Sequence, residues 1–178
     1  MTTLSIRPAR PADIPAITAI YAQAVLHGTA SWEIEPPDEA EMLRRQEAIL
    51  AGGYPYLVAE RDGALLGYAY AGAYRPRPAY RATVENSIYI APAAQGSGVG
   101  RALLAALIEA CAARGFRQMI AVIGDGTGAS IGSRRLHERA GFRLIGVAEK
   151  VGYKHGRWLD QMLMQKELGE ADRVPPSL

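Results

Sequence analysis

The spacing of apolar residues along the chain predicts an alternation of strands and helices. Apolar side chains recur every three or four residues over 14–25 and 99–114, which is the period of an amphipathic helix. Shorter helices are predicted over 38–51 and 130–140. Short apolar stretches between turn residues predict strands at 4–8, 56–60, 65–73, 83–90, 119–123, 142–148 and 160–166. The predicted order, β-α-α-β-β-β-α-β-α-β-β, places the chain in the mixed α/β class.

Particular residues mark where these elements begin and end. Asp13 is predicted to be the N-cap of the first helix, because its carboxylate suits the free N–H groups there. Asp38 and Glu41 have the spacing of a capping box at the start of the second helix. Gly141 is predicted to close the last helix. The glycine-containing segment 152–156 is expected to form the loop between the last two strands.

Length and composition favour one folded domain. The chain has 178 residues, of which 49% are apolar and 21% are charged, close to ordinary globular usage. We therefore predict a single domain over 1–168. Residues 169–178, which include two adjacent prolines, are expected to form a flexible tail.

Charge, cysteine content and hydropathy exclude several functional classes. A net charge of +2 gives no reason to expect non-specific binding of nucleic acid. Cys111 is a single cysteine and cannot make an intrachain disulfide, and the three histidines do not lie at metal-ligand spacing. No apolar run reaches the ~18–20 residues of a membrane span, and the first residues do not resemble a secretory signal. We expect a cytoplasmic protein that binds neither a metal nor a membrane.

Glycine accounts for 19 residues, well above the usual ~7%, and three of them lie in one turn between a predicted strand and a predicted helix. This turn reads Gln95-Gly96-Ser97-Gly98-Val99-Gly100. Glycine lets backbone N–H groups approach an anion closely, and the N-terminus of the following helix adds free donors and a favourable dipole. The segment therefore predicts a pyrophosphate-binding loop. A turn without a ligand is the alternative interpretation.

Two common nucleotide-binding motifs do not fit this loop. A dinucleotide-binding fingerprint that starts at Gly96 would need glycine where Arg101 stands, and no acidic residue follows about 20 residues on. The Gly-Lys-Ser/Thr ending of a P-loop is absent from the sequence. The pattern that does fit is Gln-x-x-Gly-x-Gly, formed by Gln95, Gly98 and Gly100.

This pattern, which follows the strand segment 87–90, resembles the acetyl-CoA loop of the GNAT N-acetyltransferases. The resemblance covers residues 4–168. It is closer to the phosphinothricin and methionine sulfoximine acetyltransferase branch in segments 84–90, 121–124, 136–138 and 152–158. The resemblance implies a mixed-sheet α/β fold whose central strands splay apart around acetyl-CoA. It also implies direct transfer of the acetyl group to an amine.

The resemblance further implies how acetyl-CoA is held. Backbone groups of Ile88, Tyr89 and Ile90 are expected to bond the acetyl and pantetheine groups. The backbone N–H of Tyr89 or Ile90 is expected to stabilise the tetrahedral oxyanion. The pyrophosphate is expected to bind the backbone of Gln95, Gly96, Ser97, Gly98, Val99, Gly100 and Arg101. No metal is implied.

One part of the family pattern is missing from this chain. Many GNAT sequences carry an asparagine that contacts CoA before the last helix, and its place here falls on Ser130. An alternative alignment places residues 129–132 on the same motif and leaves the extra residues as an insertion. Ser130 and Ser133 are the predicted CoA contacts in this region. Arg134 or Arg135 is a candidate contact for the 3′-phosphate of CoA.

The catalytic groups that the resemblance implies are Glu85 and His137. Glu85 is expected to be the general base that removes a proton from the amine, with a pKa raised by burial beside Tyr80 and Trp32. Alternatively, it is an ordinary strand glutamate that faces solvent or pairs with Arg81. His137 is expected to protonate the departing thiolate or to assist the base. Alternatively, it is a packed helix histidine.

Substrate binding is predicted in the loop before the Glu85 strand. The resemblance implies that this loop holds the carboxylate and the phosphinate or sulfone oxygens of the substrate. Arg75, Arg77 and Tyr80 lie there, and the planar guanidinium fork suits such oxygens. A solvated basic loop is the alternative. Asn86 and Trp32 complete the predicted site, with Trp32 as an apolar wall or as plain core packing.

Together these features predict an enzyme that transfers acetyl from acetyl-CoA to the α-amine of a small amino-acid-like molecule. The predicted acceptors are phosphinothricin, methionine sulfoximine or methionine sulfone. One alternative is another amine, such as a protein N-terminus, a lysine or a polyamine, although a polycation does not suit a basic loop. Another alternative is a CoA-binding module without turnover. The resemblance also implies a homodimer, with residues 153–160 near the subunit contact and the active site.

Overall fold

The computed structural model describes residues 3–125 and 130–177 and has the element order predicted from the sequence. The helices are α1 (Ile14–His27), α2 (Glu39–Ala51), α3 (Val99–Ala113) and α4 (Ile131–Arg139). The strands are β1 (Ser5–Pro8), β2 (Tyr56–Arg61), β3 (Ala64–Ala73), β4 (Thr83–Ile90), β5 (Gln118–Gly124), β6 (Arg143–Lys154) and β7 (Arg157–Glu167). Three-residue 3-10 turns lie at Pro11–Asp13, Pro78–Tyr80 and Pro92–Ala94.

The strands form one sheet in the order β1-β2-β3-β4-β5-β7-β6. β4 and β5 run parallel, and the other neighbouring strands are antiparallel. The pairing of β4 with β5 covers four residue pairs and ends at Asn86↔Ala121. Beyond this point β4 stays paired with β3 as far as Ile90, and β5 stays paired with β7 as far as Gly124. The two central strands therefore part after Asn86, which confirms the predicted splay.

The sheet buries an apolar core on each of its faces. α3 and α4 cover one face, where they pack with the β4 side chains Val84 and Ile88. α1 and α2 cover the other face, where Tyr89 of the same strand packs. Because side chains alternate along a strand, Asn86 belongs to the α3 face and Glu85 to the α1–α2 face. The gap between the two strands therefore opens onto two faces of the sheet that carry different side chains.

The two predicted helix caps have different outcomes. The Asp38 carboxylate accepts a hydrogen bond from the Glu41 backbone N–H at 2.8 Å, which confirms that Asp38 caps α2. Asp13 occupies the N-cap position of α1, as predicted, but its carboxylate makes no hydrogen bond to the N–H groups of that helix. The carboxylate instead accepts from the Arg10 backbone N–H at 2.7 Å and from the Arg7 guanidinium at 2.8 Å. Asp13 therefore closes the 3-10 turn before α1, because that turn comes between β1 and the helix.

The loop predicted over 152–156 is also wrong. β6 continues to Lys154, and only His155 and Gly156 separate it from β7. Both residues have positive φ, at 51° and 74°, so two residues are enough to reverse the chain. The extra strand length carries the hairpin of β6 and β7 back toward the loop that follows α1.

The hairpin formed by β6 and β7 leaves apolar side chains uncovered at one edge of the sheet. β6 is the last strand in the sheet order. Six large apolar residues of this hairpin are between 41% and 62% exposed: Leu144, Ile145, Val147, Val151, Tyr153 and Trp158. We call these six residues the hairpin apolar face. An apolar face of this kind on an edge strand is typical of a surface that meets another chain.

The residues after β7 begin in contact with the domain. Leu168 and Ala171 are only 2% and 3% exposed, and the Leu168 N–H donates to the Arg117 carbonyl at 2.9 Å. Flexibility of the tail from residue 169 stays a prediction. In the described parts of the chain, no helix combines the length and the apolar character needed to cross a membrane.

Candidate active site

A cavity of about 400 Å³ opens where β4 and β5 part. The middle of β4 and the end of β5 form two of its walls, and the loop after α1 forms a third. The lining residues are Tyr21, Ala30, Ser31, Trp32, Glu33, Glu85, Asn86, Ser87, Ile88, Tyr89, Ala121, Val122, Gly124, His137 and Gln161. Side chains from both faces of the sheet reach this one space, because the opening passes between two strands.

Glu85 presents its carboxylate to this cavity. Within the described residues it has no hydrogen-bond or ion-pair partner. Burial raises the pKa of the Glu85 carboxyl above its usual value, because the charged form loses hydration, and the positive charge of Arg75 opposes this rise. Trp32 lines the same cavity, as expected from the sequence, but Tyr80 does not. An unpaired carboxylate with a raised pKa has the properties of a general base.

The imidazole of His137 is 2% exposed and is held from both sides. Nδ1 lies 2.8 Å from the Ser133 carbonyl oxygen, and Nε2 lies 2.9 Å from Nδ2 of Asn86. A carbonyl oxygen can only accept, so Nδ1 carries the proton and Nε2 accepts from the Asn86 amide. Burial lowers the pKa of the imidazole, against the raising effect of the Ser133 carbonyl. In this neutral form Nε2 has no proton to donate to a thiolate.

The loop between α1 and α2 supplies an apolar wall built around Trp32. Its indole packs against Gly124 and Gly152, and a Cβ on either glycine would overlap the ring. The neighbouring Ser31 carbonyl accepts a hydrogen bond from Lys154 Nζ at 2.6 Å. Lys154 is 5% exposed, and burial lowers the pKa of its ammonium group. The hairpin of β6 and β7 thus fixes the wall through one ring contact and one buried hydrogen bond.

Polar groups beside this wall form a connected chain. The Tyr21 hydroxyl lies 2.8 Å from Ser31 Oγ and donates to Glu33 at 2.9 Å. Glu33 in turn pairs with the Arg45 guanidinium at 2.6 Å. Glu33 therefore lines the cavity as a neutralised carboxylate, which leaves Glu85 as the unpaired one of the two.

The glycine-rich turn ahead of α3 has the backbone geometry that its sequence predicts. Gly96 and Gly98 have φ values of 75° and 88°, in the left-handed region where glycine is favoured. In the described part of the chain no side chain caps α3, so its first N–H groups are free for a ligand. Packing does not require glycine at position 100, since a Cβ there would make an ordinary contact of 3.4 Å with the Leu136 side chain. This uncapped, glycine-lined helix start fits the pyrophosphate of CoA.

The other predicted binding residues lie outside the cavity. Arg75, Arg77 and Tyr80 are exposed in the segment before β4, and the Arg75 guanidinium lies 5.0 Å from the centre of a neighbouring tyrosine ring. Ser130 is buried, and its hydroxyl shares a hydrogen bond of 2.9 Å with Thr29 Oγ1. Residue 129, on which the alternative alignment of this motif begins, lies outside the described residues.

Sequence reasoning missed six polar residues at or beside the cavity: Tyr21, Ser31, Glu33, Ser87, Lys154 and Gln161. The one available signal was Gly124, directly after a predicted strand, since glycine at such a position often marks a close approach of another group. Across residues 3–125 and 130–177, no group of three or more His, Cys, Asp or Glu side chains is arranged to hold a metal ion.

A parted pair of parallel strands, a free helix N-terminus and a carboxylate facing the gap are the features that the resemblance to the GNAT N-acetyltransferases implies. The family model described as "Acetyltransferase (GNAT) domain" matches residues 6–163. The chain therefore belongs to the GNAT acetyltransferases, and it is an acetyl-CoA-dependent N-acetyltransferase.

Individual relatives agree with this assignment. A phosphinothricin N-acetyltransferase from Alcaligenes faecalis is 55% identical over 173 residues, covering 97% of this chain and 86% of the relative. An L-methionine sulfoximine/L-methionine sulfone acetyltransferase from Pseudomonas paraeruginosa is 45% identical, covering 96% and 98%. The crystal structure of a phosphinothricin acetyltransferase from Sinorhizobium meliloti with acetyl-CoA superposes with a TM-score of 0.94 at 50% identity, covering 98% and 94%.

Proposed function

We propose that the acceptor is the α-amine of a small amino-acid-like molecule of the phosphinothricin, methionine sulfoximine or methionine sulfone type. The observation that carries this choice is the 55% identity over 97% of the chain to a phosphinothricin N-acetyltransferase. The cavity supports it, because about 400 Å³ beside a single unpaired carboxylate suits a small molecule.

Acetyl-CoA supplies the acetyl group as a reactive thioester. Residues of this chain deprotonate the amine and stabilise the negative charge that develops on the carbonyl oxygen. Glu85 accepts the proton of the ammonium group, since an ammonium nitrogen has no lone pair to attack with. The backbone N–H of Ile90 donates to the oxyanion, because the regular pairing of β4 with β3 turns the Tyr89 N–H toward β3. Support for this comes from β4, whose edge toward β5 is free of strand pairing beyond Asn86. The glycine-rich turn holds the pyrophosphate through the free N–H groups at the start of α3.

Arg75, Arg77 and Tyr80 form the proposed contact for the substrate's oxyanions. Burial raises the pKa of the Glu85 carboxyl, and the positive charge of the exposed Arg75 partly opposes that rise. This coupling supports a position at the mouth of the cavity. The guanidinium fork suits a carboxylate that arrives with the amine.

We also propose a homodimer formed through the hairpin apolar face and located in the cytoplasm. Lys154 and His155 of the same hairpin contact the loop after α1, at the Ser31 and Gly28 carbonyls. A subunit contact at this face would therefore adjoin the active site. The single cysteine, buried at Cys111, accords with a reducing compartment. Light scattering should give a dimer mass, and Trp158→Lys should give a monomer. Leu26→Lys, at an exposed apolar position on α1, is the control.

The acceptor is tested by measuring thiol release from acetyl-CoA with a panel of amines. We expect phosphinothricin, methionine sulfoximine and methionine sulfone to accelerate release, and Glu85→Gln to abolish the acceleration. A peptide N-terminus, lysine and spermidine serve as competing acceptors. The proposal fails if one of these competitors is acetylated while none of the three amino acids is.

A further inference from the structure

The amide of Asn86 lies 6% exposed at the point where β4 leaves β5. Its Nδ2 donates to His137 Nε2, and its Oδ1 is buried without a hydrogen-bond partner among the described residues. A buried acceptor without a hydrogen-bond partner is unfavourable, because it has lost its hydration and gained no bond in return. Asn86 also lines the cavity, so a ligand with an N–H group there would donate the hydrogen bond that Oδ1 lacks.

The orientation of this amide is set by His137. If the amide were turned over, Oδ1 would face Nε2, and Nε2 would then have to carry a proton. A neutral imidazole would in that case present a bare Nδ1 to the Ser133 carbonyl at 2.8 Å, with two acceptors facing each other. The Ser133 carbonyl therefore fixes the tautomer of His137, and His137 in turn directs Asn86 Oδ1 away from itself.

The face of the sheet on which Asn86 lies indicates which ligand group donates to its Oδ1. Asn86 shares the α3 face with Val84 and Ile88, and the uncapped start of α3 belongs to the same face. Glu85, the proposed base for the amine, belongs to the opposite face. The pantetheine arm that links the thioester to the pyrophosphate contains two amide N–H groups. A ligand that spans the gap and the start of α3 would carry these N–H groups past Asn86.

We propose that Asn86 Oδ1 accepts a hydrogen bond from a pantetheine N–H of acetyl-CoA, and that neutral His137 is a positioning residue that holds the Asn86 amide in the receptive orientation. This assigns Asn86 to acetyl-CoA rather than to the amine, and it gives His137 a role other than proton donor. The inference rests on the proposed function only in that Glu85 serves the amine from the other face.

Calorimetric titration of acetyl-CoA into the full chain tests the hydrogen bond without any amine. Loss of one hydrogen bond to a buried acceptor should weaken binding by about tenfold in Asn86→Ala. His137→Phe should weaken it similarly, because the amide is released. His137→Gln, which keeps an acceptor for Asn86 Nδ2, should stay within about threefold of the wild type. Thermal unfolding of each variant confirms that it is folded.

The tautomer is tested on the wild-type protein, so this test does not depend on any variant folding. Nitrogen NMR of histidine-labelled protein should show His137 protonated at Nδ1 and bare at Nε2 at neutral pH. A proton on Nε2 would overturn the positioning role. Unchanged acetyl-CoA affinity in Asn86→Ala, with a raised KM for the amine, would assign Asn86 to the amine instead. Failure of the amine panel would leave both readouts intact, so the two proposals fail separately.

Discussion

Replacing Gly152 by alanine tests how the indole of Trp32 is held in the cavity wall. A Cβ at this position would lie 2.6 Å and 2.8 Å from two ring carbons, far inside ordinary contact distance. Overpacking costs about 1–3 kcal/mol at this half-buried site, and the reduced entropy of the unfolded chain offsets about 0.4–1 kcal/mol. The net loss of about 0–2.6 kcal/mol should lower Tm by up to roughly 10 °C in a chain of this length.

Gly146→Ala is the matched control, because Gly146 lies on the same strand and, among the described residues, a Cβ there meets no atom within 4 Å. It should be stabilised by about 0.4–1 kcal/mol. The decisive measurement repeats Gly152→Ala in a Trp32→Ala background by thermal and urea unfolding. With the indole gone, Gly152→Ala should behave like Gly146→Ala. An equal loss of stability with and without the indole would refute the reasoning.

Three further predictions concern the chemistry of the site. Glu85→Gln should lower kcat/KM by about 10²–10⁴-fold without lowering Tm, since a buried carboxylate with a raised pKa does not stabilise the fold, and near-normal activity would exclude Glu85 as the base. Arg75→Ala removes a charge that lowers the pKa of Glu85, so the acid limb of the kcat/KM profile should move to higher pH, while Arg77→Ala leaves it in place. A move to lower pH would contradict this. Gly98→Ala should strain a residue at φ 88° by about 1–3 kcal/mol and weaken acetyl-CoA binding. Gly156→Ala, at φ 74°, should carry similar strain with normal binding, and equal effects on binding would argue against the loop.

The local features of this chain could be predicted from the sequence because each depends on neighbouring residues. The apolar periods predict the elements, and the glycine-rich segment 95–100 predicts a turn that leads into a helix, which is observed as the start of α3 at Val99. The predicted loop over 152–156 is wrong, because the glycines at 152 and 156 indicate a turn but do not show how far strand pairing continues. In the structure the pairing of β6 with β7 continues to Lys154↔Arg157.

The site itself was predicted only in part, because its contacts join distant positions. Asn86 and His137 are 51 residues apart, and Ser31 and Lys154 are 123 residues apart. No periodicity links such pairs, and only the sheet order brings them together. The role predicted for His137 depended on residue type, whereas its tautomer depends on the Ser133 carbonyl.

Because of the buried hydrogen bond from Lys154 to the Ser31 carbonyl, the shape of the pocket depends on two segments that lie far apart in the sequence. A change in the last fifth of the sequence can alter acceptor preference without touching any residue near Glu85. Directed evolution toward a new amine should therefore randomise the tip of the β6–β7 hairpin together with the loop after α1. Libraries confined to the cavity lining would leave out the residues that hold the wall in place.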